Sequence, residues 1–176
     1  MMSAQYGFYV DTSRCIGCGA CAMACKDWKD VQPGEGATWR HVTTIESGTV
    51  PNVSLVNLSF ACMHCGQPAC VAVCPAGALS KRDDGIVVVD RNKCIGCHYC
   101  FFACPFGVPA YGKDGTMQKC DLCLERLEAG EEPACALACP VDALYAGKLE
   151  DLAKIAQQKV AKRLAGASQP SLLISK

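Results

Sequence analysis

The sequence predicts an α+β fold of short strands, short helices and many loops, arranged as a duplicated module. Two observations support this prediction. Sixteen of the 176 residues are cysteines, a density typical of chains held together by covalent links or bound metal. The cysteines also fall into four groups of four, and the residues around the groups repeat. Self-similarity of this kind indicates that one structural unit occurs twice.

The internal repeat extends beyond the cysteines. Residues 10–18 (VDTSRCIGC) parallel residues 89–97 (VDRNKCIGC), and residues 68–75 (PACVAVCP) parallel residues 133–140 (PACALACP). We therefore expect each cysteine group to have a partner group with the same local backbone.

The spacing of the cysteines predicts their chemistry. The first and third groups read C-x2-C-x2-C-x3-C, the second C-x2-C-x4-C-x3-C and the fourth C-x2-C-x11-C-x3-C. In the first of these spacings, three thiolates bind one iron-sulfur cluster and the fourth binds a different one. The four groups are Cys15, Cys18, Cys21, Cys25; Cys62, Cys65, Cys70, Cys74; Cys94, Cys97, Cys100, Cys104; and Cys120, Cys123, Cys135, Cys139. They predict four [4Fe-4S] clusters in two ferredoxin-like modules.

Glycine and proline near the cysteines agree with this interpretation. Glycines let backbone N–H groups approach cluster sulfurs closely, and we expect this role for Gly17, Gly19, Gly66 and Gly96. Proline follows the last cysteine of the second, third and fourth groups and turns the chain away. Lys26 takes this position in the first group, where we expect a helix to continue.

Zinc and disulfide bonds are the alternatives. Cys120 and Cys123 with Cys135 and Cys139 could bind zinc if they stood alone. Disulfides would need an oxidising compartment, and residues 1–10 lack the features of a secretory signal. The tight cysteine triads and the trailing prolines favour iron-sulfur clusters over both.

Short elements are expected beside the cysteine groups. Strands are predicted at Tyr6–Val10 and at 85–90, and short helices at 18–28 and 97–103. Residues 30–61 form an insertion with β-favouring runs at 38–45 and 53–60 and a turn at 32–36. We interpret the insertion either as a partner-facing element or as a small sheet that caps the module.

The chain is expected to divide at residue 146. Residues 1–146 would form the four-cluster domain, with the insertion at 30–61, and residues 147–176 a C-terminal helix and tail. Leu149, Leu152, Ile155, Ala156, Val160 and Leu164 have helical spacing. Acidic residues at the start and basic residues at the end match the helix dipole, so an amphipathic helix is predicted there.

Two histidines and an aromatic cluster lie near the cysteines. His64 and His98 are each either a hydrogen-bond donor to a cluster sulfur or an ordinary surface residue. Four aromatic residues surround the third group, and we expect them to form core that keeps water from the cluster. These residues are Tyr99, Phe101, Phe102 and Phe106.

Several classes of function are excluded or disfavoured. The 17 basic and 17 acidic side chains balance, which gives no indication of a nucleic-acid partner. No dinucleotide or phosphate-binding motif and no acid-base or nucleophile constellation occurs, so no catalytic residue is assigned. No apolar run is long enough for a membrane span. We expect a cytoplasmic protein, or one that a partner subunit exports or holds at a membrane.

The four groups, the wide gap in the fourth and residues 6–11 (YGFYVD) resemble one known family. They are similar to the four-cluster ferredoxin-like subunits of molybdenum and tungsten oxidoreductases, of the dimethyl sulfoxide reductase type, over residues 5–146. Small subunits of tungsten aldehyde oxidoreductases have a similar plan. The resemblance implies an electron-transfer subunit between a Mo- or W-pterin catalytic subunit and either a flavoprotein or a membrane subunit linked to quinone.

The resemblance also implies how the cysteines divide among the clusters. In that family the first and fourth groups exchange their last cysteines, as do the second and third. The implied sets are Cys15, Cys18, Cys21 with Cys139; Cys120, Cys123, Cys135 with Cys25; Cys62, Cys65, Cys70 with Cys104; and Cys94, Cys97, Cys100 with Cys74. Some relatives lack the cysteine equivalent to Cys97 and hold a three-iron cluster, so its presence here predicts a full cubane.

A freely diffusing polyferredoxin is the alternative to a subunit of a complex. A free carrier needs neither the insertion nor the C-terminal helix, so these two features favour a docked subunit. Nothing in the sequence identifies the substrate of the complex.

Overall fold

A computed structural model of the chain describes residues 5–31, 38–157 and 161–175. The predicted turn at 32–36 and Val160 of the predicted C-terminal helix lie outside these ranges. All sixteen cysteines lie within them.

Most of the described elements are short, as the sequence predicts, and the two ten-residue strands of the insertion are the exception. The strands are β1 Tyr6–Asp11, β2 Arg40–Thr49, β3 Asn52–Ala61, β4 Leu79–Lys81, β5 Val87–Val89, β6 Ala110–Tyr111, β7 Met117–Gln118, β8 Leu144–Lys148, β9 Ala161–Arg163 and β10 Leu172–Ser175. The helices are α1 Ala20–Trp28, α2 Ala69–Ala72, α3 Tyr99–Ala103, α4 Leu124–Glu128, α5 Ala134–Leu137 and α6 Leu149–Gln157. Their mixture is consistent with the predicted α+β class.

The largest sheet joins the two ends of the chain. Its strand order is β8-β1-β10-β9, with β1 antiparallel to β8 and parallel to β10. Strand β1 is buried from Gly7 to Asp11, because β8 and β10 cover its edges and the cysteine loops and α6 cover its faces. Phe8 and Val10 belong to the main apolar core, which also contains several of the cysteines. The cysteine loops are therefore built around this sheet.

The helices that end the cysteine groups pack in pairs. Helix α1 of the first group packs against α5 of the fourth, and α2 of the second group packs against α3 of the third. The first and fourth groups thus form one half of the molecule, and the second and third groups form the other. We call these the first half and the second half.

Residues 40–61 of the predicted insertion form a long hairpin of β2 and β3. Arg40, Ser59 and Ala61 are buried at its base, whereas the distal residues are exposed. At the base, Asn57 Nδ2 donates a hydrogen bond to the carbonyl oxygen of Cys15 at 3.1 Å. The hairpin therefore caps the first cysteine group with its base and presents its tip outward.

The elements predicted beside the cysteine groups are confirmed. Strands β1 and β5, helices α1 and α3, and the two strands of the hairpin all lie where the sequence places them. Helix α1 runs through Lys26, as expected from the missing proline.

The predicted C-terminal helix ends earlier than the sequence pattern indicates. Helix α6 is described to Gln157, but residues 161–163, expected to continue it, form strand β9 instead. Lys162 pairs with Ile174 of β10, so sheet pairing replaces the helical pattern there. The final residues, expected to be a tail after the helix, supply β10 to the central sheet.

No helix among the described residues is long and apolar enough to cross a membrane.

Candidate iron-sulfur site

The residue before the second cysteine has the same unusual backbone in all four groups. Its φ is positive in every case: 73° at Gly17, 40° at His64, 66° at Gly96 and 62° at Leu122. Glycine adopts this conformation without strain, whereas His64 and Leu122 are held in it by complete burial. The four loops therefore share a backbone conformation in which the chain curves around a central space. Gly66 differs from expectation, because it packs closely against Gln169 of the C-terminal segment.

Two sets of four cysteines each line a cavity. Cys15, Cys18 and Cys21 line one cavity together with Cys139 of the fourth group. A second cavity is lined by Cys94, Cys97, Cys100 and, from the second group, Cys74. In both cavities the last cysteine comes from the partner group of the same half.

The other eight cysteines form two sets, and within each set the charge of one cysteine raises the pKa of another. The pKa of Cys25 is raised to about 12, first by burial and then by the charges of Cys135 and Cys123. The pKa of Cys70 is also raised to about 12, first by burial and then by Cys62, while Cys104 and Cys65 add to the shift. Thiols with such raised pKa values are deprotonated when iron binds, because the thiolate is the ligand.

The geometry fits clusters better than the alternatives. All sixteen cysteines are free of disulfide bonds. In the described part of the chain, no three His, Cys, Asp or Glu side chains converge closely enough to hold a single metal ion. Cys139 lines a cavity with the first group, so the zinc arrangement with Cys120 and Cys123 has no support. Four thiols around a wider space suit a polynuclear cluster, which is larger than one ion.

Backbone N–H groups are directed at the cysteine sulfurs. Ala78 N donates to Cys74 Sγ at 3.3 Å, and Ala143 N donates to Cys139 Sγ at 3.2 Å. These two bonds occur at equivalent positions of the repeat. Such bonds stabilise a thiolate, so they favour metal binding and help to set the reduction potential.

Two side-chain hydroxyls also contact sulfurs, and the sequence did not indicate either. Ser59 Oγ lies 3.2 Å from Cys21 Sγ, and Tyr111 Oη lies 3.2 Å from Cys100 Sγ. Cys21 and Cys100 are the third cysteines of the first and third groups, so the two contacts are equivalent. Ser59 and Tyr111 are far from these cysteines in sequence, and only the packing of the hairpins reveals them.

The two histidines differ in environment. His64 is completely buried, so the surface interpretation is wrong for this residue, and its Nδ1 accepts a hydrogen bond from Val87 N at 3.1 Å. Burial first, and then the charges of Lys119 and Arg40, lower the pKa of His64 well below its usual value, so the ring is neutral. His98 is exposed, and its ring stacks on Tyr111 with centroids 3.8 Å apart.

The expectation that the aromatic residues of the third group form core is wrong for three of the four. Phe102 is 81% exposed and Tyr99 is 59% exposed, and Phe101 is also exposed, whereas Phe106 packs against the core. Helix α3 is too short to bury more than one face, and that face contains Cys100. The aromatic side chains therefore form an exposed rim beside the third group.

Only two of the sixteen cysteines are exposed, and they are equivalent in the repeat. These are Cys18 in the first group and Cys97 in the third. Each has exposed apolar residues nearby in its own group or on the adjacent helices. They are Ile16, Met23 and Leu137 in the first half, and Ile95, Tyr99, Phe101 and Phe102 in the second half. We call these sets the Cys18 rim and the Cys97 rim.

Comparison with known proteins identifies this arrangement. Two family models, each described as a 4Fe-4S dicluster domain, match residues 12–79 and 53–149. The chain belongs to the 4Fe-4S dicluster family. Two dicluster domains with sixteen cysteines correspond to four [4Fe-4S] clusters.

Relatives of this dicluster protein are components of oxidoreductases. It is 45% identical to a chain of the anaerobic dimethyl sulfoxide reductase of Escherichia coli K12, over 87% of the present sequence and 78% of the relative. It is 40% identical to a subunit of the sulfite dehydrogenase of Allochromatium vinosum, over 84% of the present sequence and 70% of the relative. It is 35% identical to the iron-sulfur subunit of the nitrate-inducible formate dehydrogenase of Escherichia coli K12, over 90% of the present sequence and 60% of the relative. The protein is accordingly an iron-sulfur electron-transfer subunit.

Proposed function

We propose that the chain relays single electrons between a Mo- or W-pterin catalytic subunit and a second redox partner, either a flavoprotein or a quinone-linked membrane subunit. The relatives that share most of its length are named as components of dimethyl sulfoxide reductase, sulfite dehydrogenase and formate dehydrogenase. A [4Fe-4S] cluster with four thiolate ligands exchanges one electron at a time and offers no open iron to a substrate. The chemistry on the substrate thus belongs to another chain.

We propose four cluster sites, each named after the group that supplies three of its ligands. The first-group site has Cys139 as its fourth ligand, the second-group site has Cys104, the third-group site has Cys74 and the fourth-group site has Cys25. The two cavities lined by four cysteines support the first-group and third-group sites. The mutual charge effects of the other eight cysteines support the second-group and fourth-group sites.

The order of the sites follows from burial. Cys120 of the fourth-group site is buried, and the charge of Cys62 of the second-group site contributes to raising its pKa. These two sites are the inner ones. The first-group and third-group sites, which contain the exposed cysteines, are the outer ones.

The observation that best supports a relay between two partners is the pair of exposed cysteines with apolar rims. An exposed apolar patch on a folded protein typically marks an interaction surface. A freely diffusing carrier needs one such surface, whereas a relay needs two. Because the Cys18 rim and the Cys97 rim lie in different halves, we assign one partner to each.

We also propose that the chain divides at residue 146. Residues 1–146 form the duplicated ferredoxin-like four-cluster domain with its insertion at 30–61, and residues 147–176 form the C-terminal segment that packs on it through α6 and β10. The protein works in the cytoplasm, or at a membrane or outside it when a partner subunit takes it there.

The experiment is anaerobic purification of the tagged chain from its own host, with identification of the chains that accompany it. The proposal predicts a large chain containing Mo or W and a second redox protein, and metal and flavin analysis then distinguishes the two classes of second partner. Full iron content without any partner would contradict the proposal and favour a free polyferredoxin.

A further inference from the structure

Arg40 is a charged side chain buried at the centre of the molecule. It is 1% exposed, and its guanidinium lies 4.3 Å above the Phe8 ring. Nη1 donates a hydrogen bond to Ser59 Oγ at 3.0 Å, but Nε and Nη2 have no hydrogen-bond partner among the described residues. No carboxylate in the described ranges forms an ion pair with Arg40. A buried guanidinium without a counter-charge is strongly unfavourable, so another anion must compensate it.

The cysteines near Arg40 become anions when they bind iron. The guanidinium lies over the Phe8 ring, and Phe8 belongs to the same core cluster as Cys120 and Cys135. Burial lowers the pKa of the guanidinium, but the neighbouring thiolates outweigh this effect and raise the pKa above its usual value. The thiolates with this effect are Cys135, Cys120, Cys21 and Cys25, in decreasing order. Three of the four belong to the fourth-group site.

Lys119 is a second buried cation without a carboxylate in the described part of the chain. It is 2% exposed, and its Nζ donates hydrogen bonds to the carbonyl oxygens of Val87 and Cys120, the latter at 3.0 Å. It is joined to the second-group loop, because Val87, whose carbonyl oxygen it binds, donates its own N–H to Nδ1 of His64, the residue before Cys65. The ring of His64 is neutral, so it cannot balance either cation.

We propose that Arg40 and Lys119 are the counter-charges of the two inner clusters and raise their reduction potentials, Arg40 at the fourth-group site and Lys119 at the second-group site. The inference rests on the ligand sets of the proposed function. One-electron reduction adds a negative charge to a cluster, and a nearby cation in a low-dielectric interior favours that form. The unpartnered Nε and Nη2 of Arg40 supply donors for cluster sulfur.

The test is an EPR-monitored redox titration of the full chain in its native complex, with iron content measured on every sample. In Arg40→Met, the equilibrium constant for reduction of one cluster should fall at least about tenfold, which corresponds to a midpoint about 59 mV lower. Arg40→Lys, which keeps the charge, should restore most of this loss. Lys119→Met should lower the midpoint of a different cluster by a similar amount, and Lys119→Arg is its matched control.

If a variant assembles its clusters poorly, the comparison of iron content among the variants tests the proposal. Arg40→Gln is the second neutral variant, because its amide can still donate to Ser59. Loss of iron from both neutral variants with retention in Arg40→Lys would support the role of the charge. Loss of iron from Arg40→Lys as well would overturn it, and so would unchanged midpoints in a fully loaded neutral variant. The titration measures the midpoint potentials of the clusters in this chain, so its result is valid even if the proposed partners are wrong.

Discussion

The two halves of the molecule hold equivalent cysteines by different means. In the first half, Cys21 contacts the hydroxyl of Ser59, and the buried guanidinium of Arg40 donates to that hydroxyl. In the second half, Cys100 contacts the hydroxyl of Tyr111, and the exposed ring of His98 stacks on that tyrosine. The duplication thus preserves the geometry of the cysteines, whereas the residues around them have diverged. Each half can therefore be tuned separately.

Removal of a shared cysteine should have the largest effect. Cys139→Ala should prevent formation of a complete [4Fe-4S] cluster at the first-group site, because Cys139 lines a cavity with Cys15, Cys18 and Cys21. The loss should be about four irons per chain, or about one if a three-iron cluster remains. EPR spectra of Cys139→Ala should lack the same signal as those of Cys15→Ala. Loss of the signal that Cys120→Ala removes would show that the first and fourth groups do not exchange ligands.

Substitutions in the rims should separate the two partners. Phe102→Ser in the Cys97 rim should weaken binding of one partner about tenfold or more, because the complex loses burial of a phenyl ring. Met23→Ser in the Cys18 rim should weaken binding of the other. Binding assays with each partner measure both effects, with unchanged iron content as the control. If both variants lose the same partner, the assignment of one partner to each half is wrong.

Removal of the equivalent hydroxyls should test the tuning itself. Ser59→Ala and Tyr111→Phe each delete one hydrogen bond to a thiolate, which is worth about 1.5 kcal/mol. We expect Ser59→Ala to lower the midpoint potential of the first-group cluster and Tyr111→Phe that of the third-group cluster, each by up to about 60 mV. Only the difference in bond energy between the reduced and oxidised cluster shifts the potential, so the full bond energy sets the upper limit. Redox titrations of both variants would contradict separate tuning if one substitution shifted both midpoints equally.

The smallest effect concerns an ion pair of the first half whose lysine side chain is only 10% exposed. Lys29 Nζ lies 2.8 Å from Asp121 Oδ2 and 2.6 Å from Glu125 Oε1, which connects α1 to the fourth group. A double-mutant cycle of Lys29→Met and Glu125→Gln should give a coupling of about 0.5–1 kcal/mol, because Glu125 is half exposed. Arg91→Met, which breaks an exposed pair in the second half, is the control and should have no measurable effect on stability.

The pH dependence of this coupling follows from the two pKa shifts. Burial lowers the pKa of Lys29, but its bonds to Asp121 and Glu125 outweigh burial and raise it, so its contribution is lost only above the usual lysine range. Burial raises the pKa of Glu125, but the hydrogen bonds from Lys29, from its own backbone N–H and from Trp28 together outweigh burial and lower it, so its contribution is lost only below the usual glutamate range. The coupling, measured by anaerobic denaturant unfolding, should therefore be constant between about pH 6 and 9. A decrease within that window would contradict the assignment.

The sequence predicted the parts of the fold that local patterns determine. Cysteine spacing located the four groups, and the repeat of residues 10–18 at 89–97 predicted the matching loops. Strand β1 and helix α1 follow from short-range propensity and from the missing proline at Lys26.

The remaining features depend on contacts between distant residues. Arg40 lies in a β-favouring run that gives no sign of burial, and only the packing of the hairpin base beneath the first group buries it. Strand β10 pairs with β1 across more than 160 residues, a contact that no local pattern indicates. Phe102 is a large apolar residue of the kind that usually lies in a core. It is exposed because α3 is too short to bury more than one of its faces.

The presence of four complete cubanes is tested most directly by iron and sulfide analysis combined with EPR of the freshly prepared anaerobic protein. We predict about sixteen irons per chain and no [3Fe-4S] signal, because Cys97 completes the third-group site. A strong three-iron signal, or zinc in place of roughly a quarter or more of the iron, would contradict this assignment.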